Sequence, residues 1–246
     1  VDTSQKFAVA SHAYANRGLH GPGAPENSLP AFRAAAAAGL GACIDVKITR
    51  DNRLVAFHDH DLRRMCGALE WVMHQTLGDL IWHSLPGGLH IPTLEQALDA
   101  MAGLPVLLHL KIDNPRERKM ADVVAETLKA HPGPAAVISG DVSVLKRLVA
   151  LTPERPIGPR MDTVMNHFLA DPASHARWRE SFAHFDFWAP HVKTLKAVAG
   201  LADGKIPLAA WAITRQVDLD FASRFKAAPI FEGFSPDLAN ASGNPI

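Results

Sequence analysis

Along the chain, short runs of β-prone apolar residues alternate with longer segments in which apolar positions recur every three or four residues. The short runs predict strands at Ala13–Asn16, Ala42–Ile48, Leu54–Phe57, Val106–Lys111, Ala135–Ser139, Pro156–Met161, Phe185–Ala189 and Ile206–Ile213. The longer segments predict helices. Ser28 stands where an N-cap belongs before Leu29–Ala38, and Gly39 where a C-cap belongs. Thr93, with Gln96 three residues on, has the spacing of a capping box and opens a helix to Ala102. Glu117–Ala130, Val142–Leu151, Val192–Ala202 and Val217–Ala227 complete the alternation.

Eight strands separated mostly by helices imply parallel βαβ units in an α/β chain. For 246 residues without a low-complexity linker, the economical arrangement is a single (β/α)8 TIM barrel over residues 1–246. An open doubly wound sheet fits the pattern nearly as well. In a barrel, chemistry sits at the C-terminal ends of the strands and in the loops that follow. Polar residues collect there: Asn16-Arg17, Cys43 to Lys47, His58-Asp59, His109 to Lys111 and Trp211.

Composition narrows the function classes. Lys and Arg number 25 against 25 Asp and Glu, so the charge footprint of a general nucleic-acid binder is missing. A local cationic pocket for one small anion remains compatible with that balance. No run approaches 18 apolar residues, so no transmembrane helix is expected. A cytoplasmic location is expected over a secreted one. Neither GxGxxG after the first strand nor GxxxxGK[ST] occurs, which removes the common nucleotide-binding fingerprints. Thirteen histidines beside one tyrosine invite a metal-site or acid–base reading.

Three stretches, taken in order, carry a resemblance. Asn16-Arg17-Gly18-Leu19-His20 is followed by Pro25-Glu26-Asn27-Ser28 and Ala31-Phe32. Asp45-Val46, Thr49-Arg50-Asp51, Phe57-His58-Asp59 and Leu62 come next. Ile91-Pro92-Thr93-Leu94, the strand ending in Lys111, Trp211 and Phe231-Glu232-Gly233-Phe234 extend the pattern to the C-terminal region. The ordered set resembles the glycerophosphodiester phosphodiesterases, a family of lipid metabolism. The resemblance implies a TIM barrel and divalent-metal-assisted hydrolysis of a small phosphodiester bound in the barrel mouth. It implies Mg²⁺ or Ca²⁺ held by carboxylates, an Arg and a Lys on the phosphate oxygens, and two acid–base histidines. Arg17 and Lys111 fit the phosphate-binding positions, Asp45 a metal carboxylate and His58 one acid–base histidine.

The departures fall on the reacting groups. Asn16 stands where the family pattern has histidine, and Cys43 and His109 stand where it has glutamates. Asparagine exchanges no proton near neutral pH. Thiolate and imidazole are poor ligands for Mg²⁺ or Ca²⁺. Cys43, Asp45 and His109 would instead suit zinc, or the site holds no metal. Two further readings concern proton or imine chemistry. Asp45, or Glu70 beside the flat surface of Trp71, could act as a carboxylate base. Lys111 or Lys47 could act as a Schiff-base amine. Trp211 and Trp71 are candidate substrate-contacting rings, and Trp82 and Trp188 could join Trp211 in an apolar pocket. Three functions follow: a phosphoric diester hydrolase with a modified metal site, the same barrel repurposed by divergence or engineering for metal-independent chemistry, and an inactive anion-binding homologue.

Overall fold

In a computed structural model, residues 6–162 and 172–235 are described. The strands are β1 (Tyr14–Asn16), β2 (Gly41–Ile48), β3 (Leu54–Ala56), β4 (Ser84–Leu85), β5 (Leu89–His90), β6 (Val106–Leu110), β7 (Ala135–Ser139), β8 (Ile157–Met161), β9 (Ala189–Pro190), β10 (Ala209–Ile213) and β11 (Ala228–Phe231). The helices are α1 (Leu29–Ala37), α2 (Arg63–Cys66), α3 (Leu77–Leu80), α4 (Leu94–Ala100), α5 (Met120–Ala130), α6 (Val142–Leu151), α7 (Pro172–Phe182), α8 (Leu195–Ala202) and α9 (Gln216–Ser223). Eight strands run parallel in the order β10-β11-β1-β2-β6-β7-β8-β9. Parallel bridges Trp188↔Leu208 and His191↔Trp211 bring β9 to β10 and nearly close the ring. Closure decides for the (β/α)8 barrel over an open sheet.

One predicted barrel strand proves to be something else. Leu54–Ala56 pairs antiparallel with β2, off the ring. The short connection at Asp51-Asn52 permits only a hairpin, because a parallel return needs a long crossover. The eighth barrel strand is β11, whose Pro229 argues against a strand when read as sequence. Val192–Ala202 is also shortened: Thr194 Oγ1 donates to the His191 carbonyl, and the helix begins only at Leu195.

Alternation along the strands sorts side chains into two layers. Tyr14, Cys43, Leu107, Ile138, Phe187 and Ile230 fill the barrel interior. Ile44, Val46, Leu108 and Val137 face outward, against Phe32, Leu98, Val124 and Leu148 of the helices. Each such fully buried aliphatic side chain contributes roughly 1.5–3 kcal/mol. Between β3 and α4 an excursion with its own small core of Val55, Phe57, Leu62, Val72, Leu80 and Leu85 carries α2, α3 and the β4–β5 hairpin.

Candidate active site

The same alternation that buries Cys43 turns Asp45 inward one pleat nearer the mouth, and Asp45 pairs in register with His109 on β6. His109 Nδ1 lies 2.8 Å from Asp45 Oδ1. A carboxylate can only accept, so the imidazole donates from Nδ1 and keeps a lone pair on Nε2. The second carboxylate oxygen, Oδ2, accepts from Asn27 Nδ2 at 3.1 Å and faces Arg17 Nε at 3.1 Å. Asn27 also accepts from the Asp45 backbone N–H through Oδ1. Burial alone would raise the Asp45 pKa, but the hydrogen bond from His109 and the charge of Arg17 hold it below the usual carboxylate range. Burial pushes His109 down to about 4 against the pull of Asp45. The pair is therefore an ionised carboxylate on a neutral imidazole.

Arg17 reaches this position through an unusual backbone. Its φ is 58° and that of Gly18 is 79°, in the left-handed region. A Cβ on Gly18 would meet the Ala31 backbone at 2.7 Å, so only glycine fits there. The Arg17 side chain is held by Glu26 as well as Asp45.

His58 follows β3 and forms the second aspartate–histidine pair. Its Nδ1 is 2.6 Å from Asp59 Oδ1, and Nε2 is 3.3 Å from Lys111 Nζ. Arg64 braces Asp59 and Glu26 together. Burial would raise the Asp59 carboxyl, but Arg64 and His58 donate to it and bring it to about 2. Lys111 is lowered by burial, with Asp45 opposing. Asn16 donates to Glu232 Oε2 at 2.7 Å, and His20 lies 3.9 Å from the same oxygen.

A narrow recess gathers these groups: Asn16, Arg17, Asp45, His58 and His109, with Cys43 and Ile138 deeper in. Trp211 lines it too, and Arg160 from β8 lies across that ring. Arg160, Asn27 and the Glu26–Arg64–Asp59 bracket are site residues that strand-end reasoning passed over. Arg160 had a visible signal, a lone charge at an inward position of a predicted strand. Asn27 belongs to the Pro25-Glu26-Asn27-Ser28 stretch of the resemblance, but its contact with Asp45, 18 residues away, is not readable from sequence.

Other candidates lie elsewhere. Glu70 and Trp71 are exposed on the excursion and do not line the recess; Trp71 packs between His60 and His74 instead. The carboxylate-base reading therefore does not extend to Glu70, nor the substrate-contact reading to Trp71. Lys47 is fully buried and gives its three donors to the Lys111 carbonyl, Asp113 and Glu117. An ammonium has three donors and no more, so this lysine is a structural tie rather than a Schiff-base amine. Trp188 sits in the core against Trp178 and Trp82 is exposed, so neither joins Trp211. His191 meets the Trp211 ring edge-on at 4.7 Å.

The shape of the whole chain and its sequence agree on its relatives. A model of the glycerophosphoryl diester phosphodiesterase family matches residues 17–167. The chain belongs to that family. A phosphodiesterase of Oleispira antarctica, solved in complex with the product sn-glycerol-3-phosphate, is similar in structure with a TM-score of 0.77 at 22% identity, covering 90% of this chain and 92% of that one. A glycerophosphodiester phosphodiesterase of Parabacteroides distasonis gives 0.73 at 20%, covering 90% and 92%. That of Thermotoga maritima gives 0.72 at 20%, covering 89% and 93%. No curated protein matches the chain.

The family works with a divalent metal, which makes the donor set here a test. Hard cations want several free carboxylate or carbonyl oxygens. Among the described residues Asp45 is the one carboxylate that lines the recess, and both its oxygens face His109, Asn27 and Arg17. Glu26 is held by Arg17 and Arg64, and Glu232 by Asn16. The Cys43 thiol is packed in the barrel interior with Tyr14, Leu107 and Ile138, one pleat below Asp45. Among the described residues no group of three His, Cys, Asp or Glu side chains is set to hold an ion. The residues present do not fit Mg²⁺, Ca²⁺ or a Cys43–Asp45–His109 zinc. Among them, too, no helix is long and apolar enough to cross a membrane.

Proposed function

We propose that the protein hydrolyses a small phosphoric diester of the glycerophosphodiester type, with side chains supplying the charge that a metal supplies elsewhere in the family. The observation that carries this reading is the contact between His58 and Lys111. The His58 imidazole lies 3.3 Å from the Lys111 ammonium and lines a recess that also holds Arg17. A phosphodiester there meets cations on its non-bridging oxygens and a basic nitrogen at its edge. His58 Nε2, with Asp59 fixing the proton on Nδ1, accepts a proton from the attacking water. The new P–O bond forms as the bond to the leaving alcohol breaks, and the imidazolium returns the proton to the alkoxide. Asn16 takes no part in that transfer, so one histidine performs both proton steps.

Hydrolysis of glycerophosphocholine and of bis(p-nitrophenyl) phosphate is the test. Turnover lost in His58→Gln supports the reading. An absence of turnover with either ester, with or without added metal, counts against it and favours an anion-binding homologue. That second reading draws on Asn16, which removes one acid–base group from the inherited pair.

A further inference from the structure

Arg17 is held by Glu26 and Asp45, so its charge is already largely engaged. Arg160 is placed differently. It rises from β8 at an inward position, in register with Ala189, and lines the recess. Its guanidinium carbon lies 3.3 Å from the centroid of the Trp211 ring. The ring is itself fixed: its Nε1 donates to the Ala189 carbonyl at 2.9 Å, and His191 meets it at 85°. A guanidinium held over an immobilised indole has one side covered by the ring and keeps donors for a ligand. Asp162 and Asp45 act on the Arg160 charge, and that charge is felt in turn at His109, at Lys111 and at Arg17 across the mouth.

We propose that Arg160, oriented by Trp211, is a phosphate-binding residue of this mouth, and that with Lys111 it lets the site take a phosphate ester with no divalent cation. A planar fork matches two phosphate oxygens at once, which a lysine cannot do. The stack fixes the fork before the ligand arrives, so little side-chain freedom is lost on binding. Trp211 thereby acts as a positioning residue. The proposal rests on the reading of the recess as a phosphate-ester site, and its test is independent of turnover.

Calorimetric titration of the whole chain with sn-glycerol-3-phosphate and with inorganic phosphate, in EDTA, is the experiment. The wild type binds in EDTA, Arg160→Gln weakens binding about 10- to 100-fold, and Arg160→Lys falls between them. Trp211→Leu, which removes the stack and leaves the charge, weakens binding less than Arg160→Gln. Circular dichroism checks that each variant is folded. Equal affinity in a folded Arg160→Gln, or in a folded Arg160→Lys if the first variant does not fold, overturns the proposal while leaving the hydrolase reading intact. Wild-type binding that appears only on adding Mg²⁺ or Ca²⁺ also overturns it. If the wild type binds neither ligand under either condition, the phosphate-ester reading fails with it.

Discussion

Two aspartate–histidine pairs line one recess, and burial separates their roles. Asp45 and His109 sit on neighbouring barrel strands with almost no exposure, and the imidazole is held neutral down to about pH 4. Asp59 and His58 lie on the excursion after β3, half-buried, with the histidine's second nitrogen on Lys111. The same two residue types at similar distances do different things. Both aspartates have both oxygens occupied, so the difference is burial: the Asp45–His109 pair is dry and orders the strands, whereas His58 is partly exposed where a ligand can reach it. His109 locks Asp45 in place on the neighbouring strand.

The comparison breaks most readily at His58. His58→Gln is expected to lower kcat/KM by about 10²- to 10⁴-fold, the range for losing a general acid–base group. Steady-state kinetics with a small effect would move the proton chemistry to another group. Next in size is the stability contrast. Asp45→Ala leaves Arg17 and His109 without their buried partner and should cost about 3–5 kcal/mol. Asp59→Ala breaks a more exposed pair and should cost about 1 kcal/mol or less. Urea unfolding of both variants measures the difference, and equal costs would contradict the division of roles.

The pH dependence of stability sharpens the buried pair further. The folded pKa of His109 lies below its unfolded value, so the unfolded chain binds more protons between about pH 6.5 and 4. Stability should fall as pH drops through that window, by at most about 1.4 kcal/mol per pH unit from this group. Asp45, also depressed, extends the loss below the ordinary carboxylate range. In His109→Gln the slope between pH 6.5 and 4 should flatten, as thermal melts at stepped pH would reveal. The smallest effect is expected outside the recess. Glu70→Gln should change neither turnover nor stability by more than about 0.5 kcal/mol, and a large loss of activity would restore the carboxylate-base reading at that position.

Much of this arrangement was legible from residue order. Strand parity alone sets Cys43, Asp45 and Lys47 on one side and Ile44 and Val46 on the other, and the barrel obeys it. What parity does not encode is which inward charges find partners. Lys47 and Lys111 look equivalent along the chain, yet Asp113 and Glu117 saturate one and leave the other at the mouth. The contact of Arg160 with Trp211 joins residues 51 positions apart on non-adjacent strands, and only barrel closure makes them neighbours. Glu70-Trp71 misled for the opposite reason. Its local composition suggests a site, but the excursion turns both side chains to solvent.

The central claim is that this mouth handles a phosphate ester without a metal. The direct measurement is kcat/KM for bis(p-nitrophenyl) phosphate on metal-stripped protein, in EDTA and again with saturating Mg²⁺ or Ca²⁺. Turnover in EDTA should be measurable, with a ratio near one between the two conditions. Turnover that is absent in EDTA and restored by either ion would contradict the claim.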